Sequence, residues 1–253
     1  MSKPRVAIFD FACCEGCQLQ IVNMEEEILD LISIVQPVEW REAMSEKSGD
    51  GYDIALIEGS ITRPEDEERV RAIRQKAAVV VALGACATIG GVNKLKNNFD
   101  LDDVKRCVYG KAAAMSHLNT ALTKAVDEVV PVDYYVHGCP ITKEEFAYVV
   151  RCLALGKKPV IPDYPVCVEC KARGTVCRYE YNEVCLGVVT RAGCNAPCPV
   201  AGLWCFGCRG YAPEQNVPAA REVMETYGKK AEDLQGRLLL FNSKQEPTNA
   251  SDR

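Results

Sequence analysis

The chain lacks any apolar run near the roughly 18 residues that a membrane span requires. Its first residues, Met1-Ser2-Lys3-Pro4-Arg5, lead straight into Val6-Ala7-Ile8-Phe9 with no charged-then-apolar leader and no twin-arginine signal. A soluble, cytoplasmic protein with no membrane span is expected. Positive charge is short as well: 30 Lys and Arg stand against 35 Asp and Glu, for a net charge of −5, and no basic patch interleaves with aromatics. Nucleic acid needs basic surface and is therefore not an expected partner. No Gly-x-Gly-x-x-Gly loop is present, so the chain is not expected to bind a dinucleotide itself. The only histidines are His117, which carries no signal, and His137, which reads as a satisfied structural residue two positions before Cys139.

What the chain has in excess is cysteine, 15 in 253 residues. An odd count without a secretion signal suits a reducing compartment and metal ligation better than disulfides. Eight of the cysteines lie in one segment: Cys167, Cys170, Cys177, Cys185, Cys194, Cys198, Cys205 and Cys208. Apolar residues between them are few and broken by glycine and proline, so hydrophobic burial alone can hardly fold this stretch. Four thiolates is the ligand count of one iron–sulfur cluster or one structural zinc, and all-thiolate zinc stays open on this segment alone. The Cys-x2-Cys pairs Cys167/Cys170 and Cys205/Cys208 let two thiolates meet one metal from a single turn. Grouping by order gives Cys167, Cys170, Cys177, Cys185 and then Cys194, Cys198, Cys205, Cys208. A crossed grouping also stays open, because spacing does not determine connectivity.

Residues 1–160 alternate short apolar runs with helical patterns, which predicts an α/β domain: a flavodoxin-like open parallel sheet with helices on both faces. Residues 161–253 form a second, small and loop-rich domain. The strand candidates are Val6–Phe9, Val38–Arg41, Ile54–Ile57, Val79–Leu83 and Tyr134–Val136. Leu19, Val22, Met24, Ile28, Leu31 and Ile32 predict one amphipathic helix, with Glu25, Glu26 and Glu27 on its solvated side. Thr62-Arg63-Pro64-Glu65 and Thr142-Lys143-Glu144-Glu145 have capping-box spacing; the first opens a helix to about Lys76, and the second a helix to about Leu155 with Ile141 and Phe146 as a staple. Cys14 and Cys17 then follow strand one, Cys86 strand four and Cys139 strand five. These positions open on the crevice beyond the carboxyl ends of the strands, where such sheets bind ligands. Gly16, Gly84 and Gly138 flank them as turn glycines or as room for a bulky cofactor. Glu58 opens on the same crevice, either as a buried acid in a proton or electrostatic role near the cofactor or as a helix-capping or surface carboxylate. Cys107 and Cys152 are expected to be packed thiols.

With Cys14-Glu15-Gly16-Cys17, Gly84-Ala85-Cys86 and Gly138-Cys139-Pro140 in one crevice, the sequence resembles the small subunit of a [NiFe]-hydrogenase. The segments Cys185-Leu-Gly-Val-Val-Thr-Arg-Ala-Gly-Cys194-Asn-Ala-Pro-Cys198-Pro and Cys205-Phe-Gly-Cys208-Arg-Gly are similar to the δ subunit of cytosolic, NADP-linked sulfhydrogenases. The resemblance implies a proximal [4Fe–4S] cluster on Cys14, Cys17, Cys86 and Cys139. Periplasmic members use a histidine in the distal cluster and three cysteines in a medial [3Fe–4S] cluster. Here every position is cysteine, so three [4Fe–4S] clusters are implied, distal on Cys167, Cys170, Cys177 and Cys185 and medial on Cys194, Cys198, Cys205 and Cys208.

The adjacent Cys13-Cys14 also resembles the quinone-linked subunit of respiratory complex I, which has one cluster and lacks the eight-cysteine segment. Cys13 is expected to be a non-ligand. By the same resemblance nickel and iron reside on a separate large subunit, and this chain has no catalytic residue of its own. It passes electrons to flavin- and iron–sulfur-bearing subunits that serve NAD(P) or sulfur. A flavin in this chain's own crevice is not expected, since the four cysteines take that place. The alternatives are the small subunit of a deazaflavin-independent hydrogenase feeding a heterodisulfide reductase, a complex I-like quinone-linked subunit, a stand-alone ferredoxin-like carrier and a zinc-stapled binding module. A docked large subunit predicts exposed apolar residues around Cys14–Gln20. Beyond Tyr211, helices are expected at Ala219–Tyr227 and Lys230–Phe241, with a frayed tail from Asn242.

Overall fold

A computed structural model describes residues 3–45, 51–213 and 217–242, so the tail from residue 243 lies outside the described residues. The chain divides into two compact units, Met1–Pro159 and Val160–Arg253.

The first unit is built on five strands: β1 (Arg5–Asp10), β2 (Gln36–Trp40), β3 (Tyr52–Glu58), β4 (Ala77–Leu83) and β5 (Tyr134–Val136). They pair in the order β2-β1-β3-β4-β5 and every pairing is parallel, the flavodoxin-like order. A parallel sheet covered on both faces needs strands that are apolar throughout rather than alternating. Ala77-Ala-Val-Val-Val-Ala-Leu83 is such a run, and Val80 to Leu83 are fully buried. Ala7, Phe9, Ile57 and Val80 pack on one face with Val70 and Ile73 of α3 (Pro64–Lys76). Val6, Ile8 and Leu56 turn to the other face, where they meet Ile21 of α1 (Gly16–Val22), Leu31 of α2 (Glu26–Ile34) and Phe146 of the later helix Lys143–Ala154.

Three local expectations are corrected. The single helix expected across Leu19 to Ile32 is two helices, because the chain breaks at Asn23–Glu25, where Glu25 has φ 55°. The break swings Ile21, Met24 and Leu31 inward and leaves Leu19, Val22 and Ile32 exposed, while Glu25, Glu26 and Glu27 face solvent as expected. Neither capping box forms. Arg63, not Thr62, is the N-cap of α3; Pro64 takes the first helical position, and the carboxylate of Asp66 reaches back to Arg63 Nη2 at 2.8 Å. Thr142 is the N-cap of the Lys143–Ala154 helix without a side-chain bond, although Ile141 and Phe146 are both buried, as a staple requires.

Between β4 and β5 the chain forms α4 (Gly84–Ile89), a 3-10 turn over Val92–Asn98, α5 (Leu101–Tyr109) capped by Asp100, and further short turns. Cys107 lies on α5 and is exposed rather than packed, since α5 buries none of its residues. Cys152 is half-buried on α6 (Lys143–Ala154).

The second unit has little regular structure: α7 (Val166–Ala172), α8 (Pro197–Val200), 3-10 turns at Arg178–Tyr181 and Leu186–Val188, then α9 (Val217–Thr226) and α10 (Ala231–Asn242). Its core is small, with Val166, Tyr179, Leu186, Ala196 and Met224 packed among the thiols of Cys185 and Cys205. A core this thin matches the expectation that apolar burial alone does not hold the segment.

Candidate functional site

The crevice at the carboxyl ends of the strands is assembled by backbone bonds between loops. Past β1, Ala12 and Ser60 exchange N–H···O bonds at 3.1 and 3.0 Å, tying the exits of β1 and β3. Ala85 N donates to the Gly138 carbonyl at 2.6 Å, tying the exit of β4 to that of β5. Cys14, Cys17, Cys86 and Cys139 are thereby drawn to one place. Gly84 shows how tight the space is: its φ is +76°, and a Cβ there would stand 2.3 Å from the Cys17 sulfur. Only glycine fits both conditions.

Glu58 ends β3 and is 2 % exposed. Its carboxylate accepts from Cys17 N at 3.0 Å and Gln18 N at 3.1 Å, capping the first turn of α1 from a distant strand. Glu58 is thus a helix cap and at the same time a buried acid whose charge acts on the crevice thiols, and it is not a surface carboxylate. Glu58→Ala would leave two buried N–H groups unsatisfied, at about 1–3 kcal/mol each, and is expected to lower the melting temperature of the anaerobic protein by several degrees. An unchanged melt would contradict this role.

The thiols bear on one another. Burial, then Cys139, Cys14 and Glu58, pushes Cys86 up to about 12. Burial and Glu58 likewise raise Cys17, while burial, Cys14 and Glu58 raise Cys139. Cys17, Cys86 and Cys139, each raised by burial and neighbouring negative charge, become thiolates together more readily beside strong positive charge, such as bound iron. Cys13, half-buried, is raised to about 12 by burial and Glu58 and also feels Cys86, so it lies beside the set. His137 is buried and stacks on Tyr135, in keeping with a structural role.

Sequence reasoning missed Asn93. Its Nδ2 donates to the Ala12 carbonyl at 2.8 Å and to Ser60 Oγ at 2.9 Å, and stands 4.0 Å from Cys86 Sγ. An asparagine in a polar turn has no signature of its own; the Gly90-Gly91 reversal that returns the chain to the crevice was the available clue.

In the second unit, Cys167, Cys170, Cys177 and Cys185 line a single cavity with Val166 and Tyr179. Burial first, then Cys185, Cys170 and Cys177, pushes Cys167 up to about 12. The other four thiols are not drawn together as plainly: burial raises Cys194, which also feels Cys198, while Cys205 is raised by burial and then by Cys185 of the first set ahead of Cys208. Cys205 N also donates to Cys185 Sγ at 3.2 Å, so the two sets adjoin. Among the described residues, no three Cys, His, Asp or Glu side chains are gathered as a site for a single metal ion. Donors that are all thiols, a cradle at Gly84 that a Cβ would fill and a cavity ringed by four cysteines fit iron–sulfur clusters.

Near the crevice mouth, Leu19 on α1 is 56 % exposed, within the stretch Cys14–Gln20 where exposed apolar residues were expected, and Val22, two residues beyond it, is 47 % exposed. No helix among the described residues is long and apolar enough to cross a membrane.

Residues 14–153 match the family described as NADH ubiquinone oxidoreductase, 20 Kd subunit, a match that ends before the eight-cysteine segment. Sulfhydrogenase 2 subunit delta of Pyrococcus furiosus is 38 % identical, over 87 % of this chain and 92 % of that one. A vhu subunit of the F420-non-reducing hydrogenase of Methanococcus voltae is 30 % identical, over 95 % and 94 %. Among solved structures, an NAD+-reducing [NiFe]-hydrogenase in the H2-reduced state superposes with a TM-score of 0.56 at 28 % identity, covering 64 % of this chain and 96 % of that one.

Proposed function

Because the chain belongs to the NADH ubiquinone oxidoreductase 20 Kd subunit family, as a small subunit of a [NiFe]-hydrogenase complex, we propose that it is the electron relay of that complex. It would connect the nickel–iron site of a large subunit with flavin- and iron–sulfur-bearing subunits that serve NAD(P) or sulfur, in the cytoplasm. The observation that carries this reading is the gathering of Cys14, Cys17, Cys86 and Cys139 beyond β1, β4 and β5, around a Gly84 that leaves no room for a side chain at Cys17.

A [4Fe–4S] cluster, when bound, supplies one-electron storage at low potential. The remaining work is the protein's. Cys14, Cys17, Cys86 and Cys139 would hold the proximal cluster, with Cys13 outside the ligand set. Cys167, Cys170, Cys177 and Cys185 would hold the distal cluster, and Cys194, Cys198, Cys205 and Cys208 the medial one. Glu58 holds the amide of Cys17 in place, Gly84 keeps the crevice clear and buried Val136 and Leu83 keep water from the sheet side. Leu19 and Val22 would be covered by the large subunit.

The likeness to a sulfhydrogenase supports NADP or sulfur as the terminal acceptor. The likeness to an F420-non-reducing hydrogenase supports a second reading, in which the acceptor is a heterodisulfide-reducing partner. Iron analysis and low-temperature EPR of the anaerobically purified complex test the core of the proposal: this chain should account for about twelve irons, four per cubane, in three reducible centres. A colourless, zinc-loaded chain, or one with a single cluster, would overturn it.

A further inference from the structure

The loop that carries Cys194 is gripped from two sides by groups of opposite charge. Glu169 lies on α7 between Cys167 and Cys170, and its carboxylate accepts from the backbone N–H groups of Gly193 and Asn195, each at 2.8 Å. Those two amides flank Cys194. Arg209 directly follows Cys208, is 1 % exposed and donates from Nε to the Ala192 carbonyl at 2.8 Å. Both charged groups are thus held against backbone within two residues of Cys194, one on each side of its loop.

We propose that Arg209 and Glu169 are opposed positioning charges that set the reduction potential of the cluster held by Cys194, Cys198, Cys205 and Cys208, with Arg209 raising it and Glu169 lowering it. This rests on the ligand set proposed above. Reduction adds one electron, and hence one negative charge, to a group in a low-dielectric interior. A buried guanidinium favours the reduced state and a nearby carboxylate disfavours it. A low-potential site bracketed in this way can be tuned without altering its ligands.

The test is an EPR-monitored redox titration of the whole complex, with iron counted in every sample. In Arg209→Gln with full iron, the reduction step that Cys194→Ser abolishes should move to lower potential. In Arg209→Lys, which keeps the charge, that step should return toward the wild-type value, and in Glu169→Gln it should move up. Shifts of the same sign in Arg209→Gln and Glu169→Gln, or none with iron intact, would overturn the inference and mark the two residues as a purely mechanical clamp. Should Arg209→Gln lose iron, Glu169→Gln decides alone: an upward shift supports the inference and an unmoved step overturns it. A wild type without this cluster overturns the ligand assignment and the inference with it, and the iron count tells that failure from the other.

Discussion

Cys86→Ala is expected to strip about four of the roughly twelve irons from this chain and to cut hydrogen-dependent reduction of the physiological acceptor by about a hundredfold or more. Cys86 sits on the first turn of α4, fed by β4 and held against the β5 exit through the bond from Ala85 N to the Gly138 carbonyl. No other thiol replaces it from the same direction, since Cys13 reaches the crevice from the β1 side. The hydrogen–deuterium exchange catalysed at the large subunit should persist, because nothing on that subunit changes. This contrast is the useful readout: exchange without long-range reduction is the signature of a broken relay. A variant that kept all its iron and its acceptor activity would remove Cys86 from the ligand set, and Cys13 would then be the thiol to examine.

The second large effect comes from one methyl group. Gly84→Ala would place a Cβ 2.3 Å from Cys17 Sγ, in a backbone conformation at φ +76° that L-residues adopt at a cost of about 1–2 kcal/mol. The Cys17 backbone is held by its bond to Glu58 and the β4 exit by its pairing with β3, so both sides of the clash are tied down. The variant is expected to fold, since Val80 to Leu83 are untouched, but to lose about four irons and melt several degrees lower. Gly156→Ala is the matched control. It bears similar strain at φ +64° but has no atom within 4 Å of its added Cβ, so it should keep full iron. Equal iron in the two variants would show that the crowding at Cys17 does not matter for assembly.

Legibility followed how local the deciding physics was. Val79–Leu83 and Ile54–Ile57 announce themselves as strands because a sheet covered on both faces leaves no polar alternation, and the observed strands extend the expected ones by a residue or two at an end. The helix break at Asn23–Glu25 was invisible because a near-helical spacing of Leu19, Val22, Met24 and Ile28 fits one bent amphipath or two short helices equally well. What separates them is which residues find the sheet. The capping boxes failed for a similar reason: Thr62 and Thr142 have the right spacing, yet Asp66 satisfies the start of α3 through Arg63. Cys107 looked packed because cysteine usually is, and α5 turned out to bury nothing.

Reading along the chain alone, one obtains the parallel α/β class, the crevice, the cysteines that face it and the cysteine-dense second part, since each depends on residue type and short-range spacing. Pairwise nearness across distant loops was beyond it. The carboxylate of Glu58 under Cys17, the amide of Asn93 beside Cys86 and the grip of Glu169 and Arg209 on Cys194 join residues separated by up to 41 positions. Such contacts arise only when the sheet order and the loop crossings are complete, because a polar side chain carries no mark of the partner that folding will bring to it.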